Sequence, residues 1–345
     1  MSVTLITSKP HLAQTIAQVI RHRFPGQTLY FPLILRRGFY RSPLPRGVGW
    51  TAYPLLDPTL AQVDRYVAPV ANAQAPWEAP FLQVCAPDGT QTTLHDPALY
   101  ERSIREADQV FVAVDPSPSA SWAAAILQLK FGGRVPFRKV YLPDLSSSTV
   151  ERAFDGAGEP APWFDQLARQ GQVKAYFDHQ FLVNSLAIFG RTFATPCQPT
   201  PWVSKYQIQV LYALAEEPAQ TERAILQLMQ NWPGTGKYTA QARENHWDEG
   251  IGSAASRIAI LSQLMAHGWL EATGDHRRAL SPFGRAALAA LHPGCRDLDL
   301  PFRLQRWMDE GLARAQPAMD RYLRTFFGRQ KTFLAHVATP RRLHC

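Results

Sequence analysis

Val110-Phe-Val-Ala-Val-Asp115-Pro-Ser-Pro-Ser-Ala-Ser-Trp-Ala-Ala-Ala-Ile-Leu127 is the stretch whose reading decides the fold. An apolar run ends in a carboxylate, a proline- and serine-rich loop follows, and an alanine-rich helix comes next. A buried parallel strand delivers a side chain to the C-terminal edge of a sheet in this way, and that edge is where α/β proteins place their chemistry. The loop carries serines where a magnesium site would want further carboxylates. Asp115 is therefore a weak metal candidate.

The same strand–loop–helix pattern lies on either side. Val3–Thr7 reads as a short buried strand, with Ser8-Lys9-Pro10 as the turn. His11–Arg23 reads as a helix with Leu12, Ile16, Val19 and Ile20 on one face. Lys9 and the loop amides could meet a phosphate there. Asp96–Ala107 reads as a helix capped by Asp96 with Pro97 first inside it, and Arg138–Leu142 as another strand. Ser147–Phe154 reads as a serine-capped helix. Repeated strand–helix order predicts a doubly wound parallel sheet over roughly the first 150 residues. Residues 24–95 are rich in Pro, Gly and aromatics and give no clear period. Within them, Arg36-Arg-Gly-Phe-Tyr-Arg41 interleaves guanidinium groups with rings. That suits a single-stranded nucleic-acid surface and equally a solvated hairpin.

After a linker at Gly156–Pro162, residues 163–189 read as mostly helical. Val203–Glu216, Thr221–Gln230 and Ser253–His267 read as amphipathic helices. Gly268-Trp-Leu-Glu271, a turn at Gly274-Asp275, Arg277-Arg-Ala-Leu280 and a helix opened by Ser281-Pro-Phe-Gly284 complete a winged-helix order. Residues 301–335 read as amphipathic helices, followed by a frayed tail. The expected organisation is a parallel-sheet α/β domain over 1–155, a mostly α region with a winged helix over 163–335, and a tail at 336–345.

The chain has 345 residues and is 46% hydrophobic, as a soluble globular protein would be. Its 36 basic against 28 acidic residues give a net charge of +8, which favours an anionic partner, nucleic acid before membrane surface. Cys85, Cys197, Cys295 and Cys345 are too scattered for a zinc pair and fit a reducing compartment. The N-terminal apolar run is too short for a signal peptide, and no stretch is long enough to span a bilayer, so a cytoplasmic location is expected.

Several of these pieces, in this order, resemble the type IA DNA topoisomerases, nearest the topoisomerase III branch. Leu5-Ile-Thr-Ser-Lys-Pro-His-Leu-Ala13 is similar to the first motif of that family, with Ser8 where the family has glutamate and Lys9 kept. The Asp115 segment looks like the acidic motif of the toprim fold. Ser117 stands for the second aspartate, Ser119 for the glutamate and Ala120 for the glycine. Leu142-Pro-Asp-Leu-Ser-Ser-Ser-Thr-Val-Glu-Arg-Ala153 resembles the segment after toprim. Lys174-Ala-Tyr-Phe-Asp178, with Asn184 and Ser185, looks like a DNA-contacting helix. Lys237-Tyr-Thr239 and Glu249-Gly-Ile-Gly-Ser-Ala-Ala-Ser-Arg257 resemble the Tyr-Thr and Gly-Ile-Gly signatures. The resemblance covers 1–23, 100–190 and 235–335.

The resemblance implies a toprim-like fold, with Lys9, Lys174, Asp178, Asn184, Lys237, Tyr238 and Arg257 as DNA contacts, and the basic–aromatic run adds Arg36 and Arg37 to the DNA-contacting set. It also exposes losses. The nucleophilic tyrosine of the family sits in a Tyr-x-Arg-Thr-Asp-Ser motif inside a large gate. Here only Gly190–Gly236 lie between the matching ends, with Tyr206 and Tyr212 but no such motif. A serine at position 8 cannot act as a general acid near neutral pH. The expectation is a non-catalytic protein that binds DNA, single strands preferred, with no cofactor. It could serve as a subunit of a mobile-element, plasmid or defence complex. The alternatives are a divergent magnesium-dependent toprim nuclease or topoisomerase, and a protein–protein adaptor subunit.

Overall fold

The structure is a computed structural model that describes residues 2–34, 47–56, 82–133, 135–159, 161–190, 193, 203–217, 219–245, 247, 250–274 and 276–336. Arg36, Arg37, Glu249 and the tail beyond His336 lie outside the described residues. The chain divides into two compact units, Met1–Pro43 with Thr59–Tyr176, and Leu44–Pro58 with Phe177–Cys345.

The first unit is built on a six-stranded sheet. Its strands are β1 (Val3–Ile6), β2 (Leu29–Pro32), β3 (Leu82–Cys85), β4 (Gln91–Leu94), β5 (Gln109–Val112) and β6 (Phe137–Lys139), in the order β4-β3-β2-β1-β5-β6. β1 runs parallel to β2 and β5, and β5 to β6. The sheet is mixed where an all-parallel one was expected. β3 and β4 form a hairpin that adds antiparallel to β2. The hairpin turns at Gly89, whose φ of 90° is open to glycine at no steric cost.

Both faces of the sheet are covered. Along the β5 run, Val110, Val112 and Val114 face one core with Ile6, Tyr100, Ile104, Trp122, Leu127 and Phe164. Phe111 and Ala113 face the other with Leu5, Ile16, Ile20, Val150 and Phe154. The period-two alternation of a strand thus feeds two apolar layers, which is why the run reads as continuously hydrophobic. The first layer takes α2 (Pro97–Arg105), α3 (Pro118–Phe131) and the start of α5 (Pro162–Ile188). The second takes α1 (Pro10–Ile20) and α4 (Ser147–Asp155). Asp96 caps α2 through the Ala98 and Leu99 amides, as expected, and Ser146 rather than Ser147 caps α4.

The division between the units falls inside α5 rather than at Gly156–Pro162. The second unit contains the rest of α5, α6 (Lys205–Ala215), β7 (Gln220–Thr221), α7 (Glu222–Gln230), α8 (Thr239–Glu244) and α9 (Ala254–Ala266). These are followed by β8 (Leu270–Thr273), β9 (Arg277–Leu280), α10 (Pro282–Ala289), α11 (Leu300–Glu310) and α12 (Leu312–His336). β8 and β9 form a hairpin, and β9 also pairs with β7, giving a three-stranded antiparallel sheet. Aromatic rings bind α5, α11 and α12 together. Phe177 meets Trp307 and Tyr322, and Phe181 meets Phe326 and Phe327, with ring centroids 5.0–5.9 Å apart. No helix among the described residues is long and apolar enough to cross a membrane.

Candidate functional site

Because Ile6 pairs with Val112 in parallel register, the turns after β1 and β5 emerge side by side at one sheet edge. Ser8, Lys9, Asp115 and Ser117 meet there. The Ser8 hydroxyl donates to Asp115 Oδ1, and the Ser117 hydroxyl donates to Asp115 Oδ2 at 3.1 Å. Lys9 Nζ lies 3.8 Å from Oδ2. Ser117 also caps α3, accepting from the Ala120 amide at 3.4 Å, and Ser119 sits in the first turn of that helix. Burial works against the Asp115 charge. The Ser8 hydroxyl, the Lys9 ammonium and the Ser117 hydroxyl outweigh it and hold the carboxyl below its ordinary range.

Both carboxylate oxygens therefore already have donors, and Ser8 and Ser117 offer hydroxyls rather than further carboxylates. Among the described residues no three His, Cys, Asp or Glu side chains cluster as a metal site. The residues at this edge do not fit the magnesium centre that the resemblance implies.

A titration checks this geometry. The folded Asp115 pKa lies below the unfolded value of about 4. The group therefore stabilises the fold fully above that value, and this contribution disappears as pH falls through the lowered folded pKa. Ser8→Ala removes the strongest donor and should move the carboxylate titration, followed by NMR, to higher pH. An unchanged midpoint would show that Ser8 does not hold the carboxylate.

Several other expected contact residues take part in internal contacts. Asn184 is fully buried. Its Nδ2 donates to the Leu55 and Gln180 carbonyls at 2.8 Å, and its Oδ1 accepts from the Leu55 amide at 2.8 Å. Lys331 adds bonds to the Thr51 and Tyr53 carbonyls, so segment 47–56 is held by the second unit. Asp178 pairs with the buried Lys205, whose ammonium lies over the Phe177 and Tyr206 rings. Arg257 is buried, and its Nε donates to the Ile251 carbonyl at 3.2 Å. Its guanidinium occupies the space a Cβ on Gly250 would need. Tyr238 is buried and stacks on Phe302 at 6.3 Å, with Lys237 and Arg306 over its ring. Tyr212 donates its hydroxyl to the His292 carbonyl, and burial pushes its pKa up.

Lys9, Lys174 and Lys237 keep some solvent exposure. Lys174 is half-buried on α5, in the first unit. The hairpin carries exposed His276 and Arg277, whereas Arg278 is bonded to Glu222 at 2.7 Å. The outward residues of α9 include Ile258, Ala259 and Ser262 and carry no charge. Sequence reading missed the cations of α12, because it followed the apolar period of that helix and not its opposite face.

The chain matches no known protein-family model, and no curated protein matches it.

Proposed function

We propose that the chain is a non-catalytic DNA-binding protein, single strands preferred, on a scaffold of the type IA topoisomerase kind. The observation that carries this reading is the order of the second unit. α7 and α9 are followed by a hairpin, β8–β9, that pairs back onto β7. Such an order supports a winged helix, in which the hairpin tip, here bearing His276 and Arg277, meets phosphates. The net charge of +8 supports the same class of partner. The sheet edge at Asp115 supports a binding role over a catalytic one. Its carboxylate is bonded to Ser8 and Ser117 and neutralised by Lys9.

The expected result is salt-sensitive binding of a labelled oligonucleotide, tighter for a single strand than for the matching duplex. Asp115→Ala should retain it. Supercoiled plasmid should stay intact with magnesium or manganese. Magnesium-dependent nicking that Asp115→Ala abolishes would replace this reading with the nuclease or topoisomerase one. A stoichiometric protein partner, with no oligonucleotide binding at low salt, would replace it with an adaptor.

A further inference from the structure

We propose that the outer face of α12 is the phosphate track of this protein and that the groove beside it seats one nucleotide. The proposal rests on the nucleic-acid reading above and assigns its surface. Arg314, Arg321, Arg324 and Arg329 are all exposed. At 100° per residue they fall within a single face, which they share with Pro317, Thr325, Gly328 and Thr332. None of the four forms an ion pair or side-chain hydrogen bond with another described residue. On neighbouring α11, by contrast, Arg303 pairs with Asp297 and Arg306 with Glu310. The only acid in α12 is Asp320, about 100° round the helix from Arg321 and about 40° from Arg324, and one carboxylate is set against the four arginines.

Four uncompensated guanidinium groups along about 22 Å of helix suit a polyanion better than a small anion. The fork of arginine matches phosphate oxygens. The opposite face is already used. Ala315, Met319, Leu323, Phe326 and Phe327 are buried in the unit. The helix therefore has no apolar face to insert into a bilayer, which argues for nucleic acid over a lipid surface.

The groove lies along the same helix. It has a volume of about 550 Å³ and is lined by Arg324, Arg329, Thr325, Thr332, His292 and Phe333. A Cβ on Gly328 would meet nothing within 4 Å, so the floor is open. His292 Nδ1 accepts from the Gly294 amide at 2.8 Å, which leaves Nε2 as a donor. The Phe333 ring stands edge-on to His292 at 5.6 Å and lines the groove together with Arg324 and Arg329. Guanidinium groups with an aromatic ring form the recurring pattern of single-strand sites. The uncharged α9 face supports the same assignment, since phosphates would find no cation there.

The test compares two full-length variants that lose equal charge. One is Arg321→Gln/Arg324→Gln/Arg329→Gln. The control is Arg223→Gln/Arg243→Gln/Arg285→Gln, at exposed positions elsewhere in the unit. Binding of labelled oligothymidylate is followed by anisotropy across a salt series. The α12 variant should bind at least about tenfold more weakly and lose about 2 from the log–log salt slope, three single-strand phosphate contacts at about 0.7 each. Single changes at Arg321 and Arg329 should each remove about 0.7. The control should stay near wild type, and all variants should melt as wild type does. Equal losses in both triple variants would overturn the α12 assignment and leave the nucleic-acid reading standing. Wild type that binds neither single strand nor duplex at low salt would overturn both. Binding to phosphatidylserine vesicles without oligonucleotide binding would give the surface to membranes instead.

Discussion

Gly171→Ala destabilises the protein by about 3 kcal/mol, the upper range for forcing volume into a packed contact. Gly171 is the residue at which α5 passes the first turn of α3. A Cβ there would collide with the Pro118 carbonyl oxygen and stand 2.6 Å from Trp122 Cβ and 2.7 Å from the Pro118 carbonyl carbon. Two of these neighbours are backbone and cannot rotate away. The helices would have to part where Phe164 and Ala168 of α5 pack into the sheet core with Trp122 and Leu127. Urea unfolding followed by tryptophan fluorescence measures the loss. A change below about 0.5 kcal/mol, the scale of an ordinary surface substitution, would show that the contact relaxes freely. The position matters for the site because the first turn of α3 is capped by Ser117, one of the donors to Asp115.

Asp178→Ala is expected to lose about 3 kcal/mol, because it strands the Lys205 ammonium in the interior. The side chain of Lys205 is 8% exposed, and its charge is answered by Asp178 and by the faces of Phe177 and Tyr206. Removing both charges in Asp178→Ala/Lys205→Met should restore most of the stability, since a thioether fills the same space without desolvation. A double-mutant cycle separates this role from a contact with nucleic acid. If Asp178→Ala melts like wild type and loses oligonucleotide binding, the packing role is wrong.

The sequence shows where local chemistry decides structure. The Val110 run, the Asp96 cap and the helices α6, α7, α9 and α10 follow from apolar period, capping oxygen and turn residues, and they lie close to where reading placed them. β4 was not legible, because Gln91-Thr-Thr-Leu94 sits at a sheet edge with three exposed side chains and no apolar alternation. The place of segment 47–56 was not legible either. It depends on Asn184 and Lys331, far away in the chain, donating to backbone carbonyls. The Asp115 cluster was legible in part. The serines were visible in sequence, but only the β1–β5 register shows that Ser8 and Ser117 grip opposite oxygens of one carboxylate. The burial of Asn184, Arg257 and Tyr238 had no local signal, since a polar or charged side chain in a motif carries no mark of whether it is buried.

The central place of β1 has a kinetic consequence. Its neighbour β5 begins at Gln109, and the pairing Val3↔Gln109 spans 106 positions. Such a contact closes a long loop before any ladder bond offsets the lost chain entropy, so it forms late and slowly. During synthesis β1 must wait for more than a hundred further residues to leave the ribosome before β5 can pair with it. In that interval Val3, Leu5 and Ile6, all buried in the finished sheet, are apolar surface open to a chaperone.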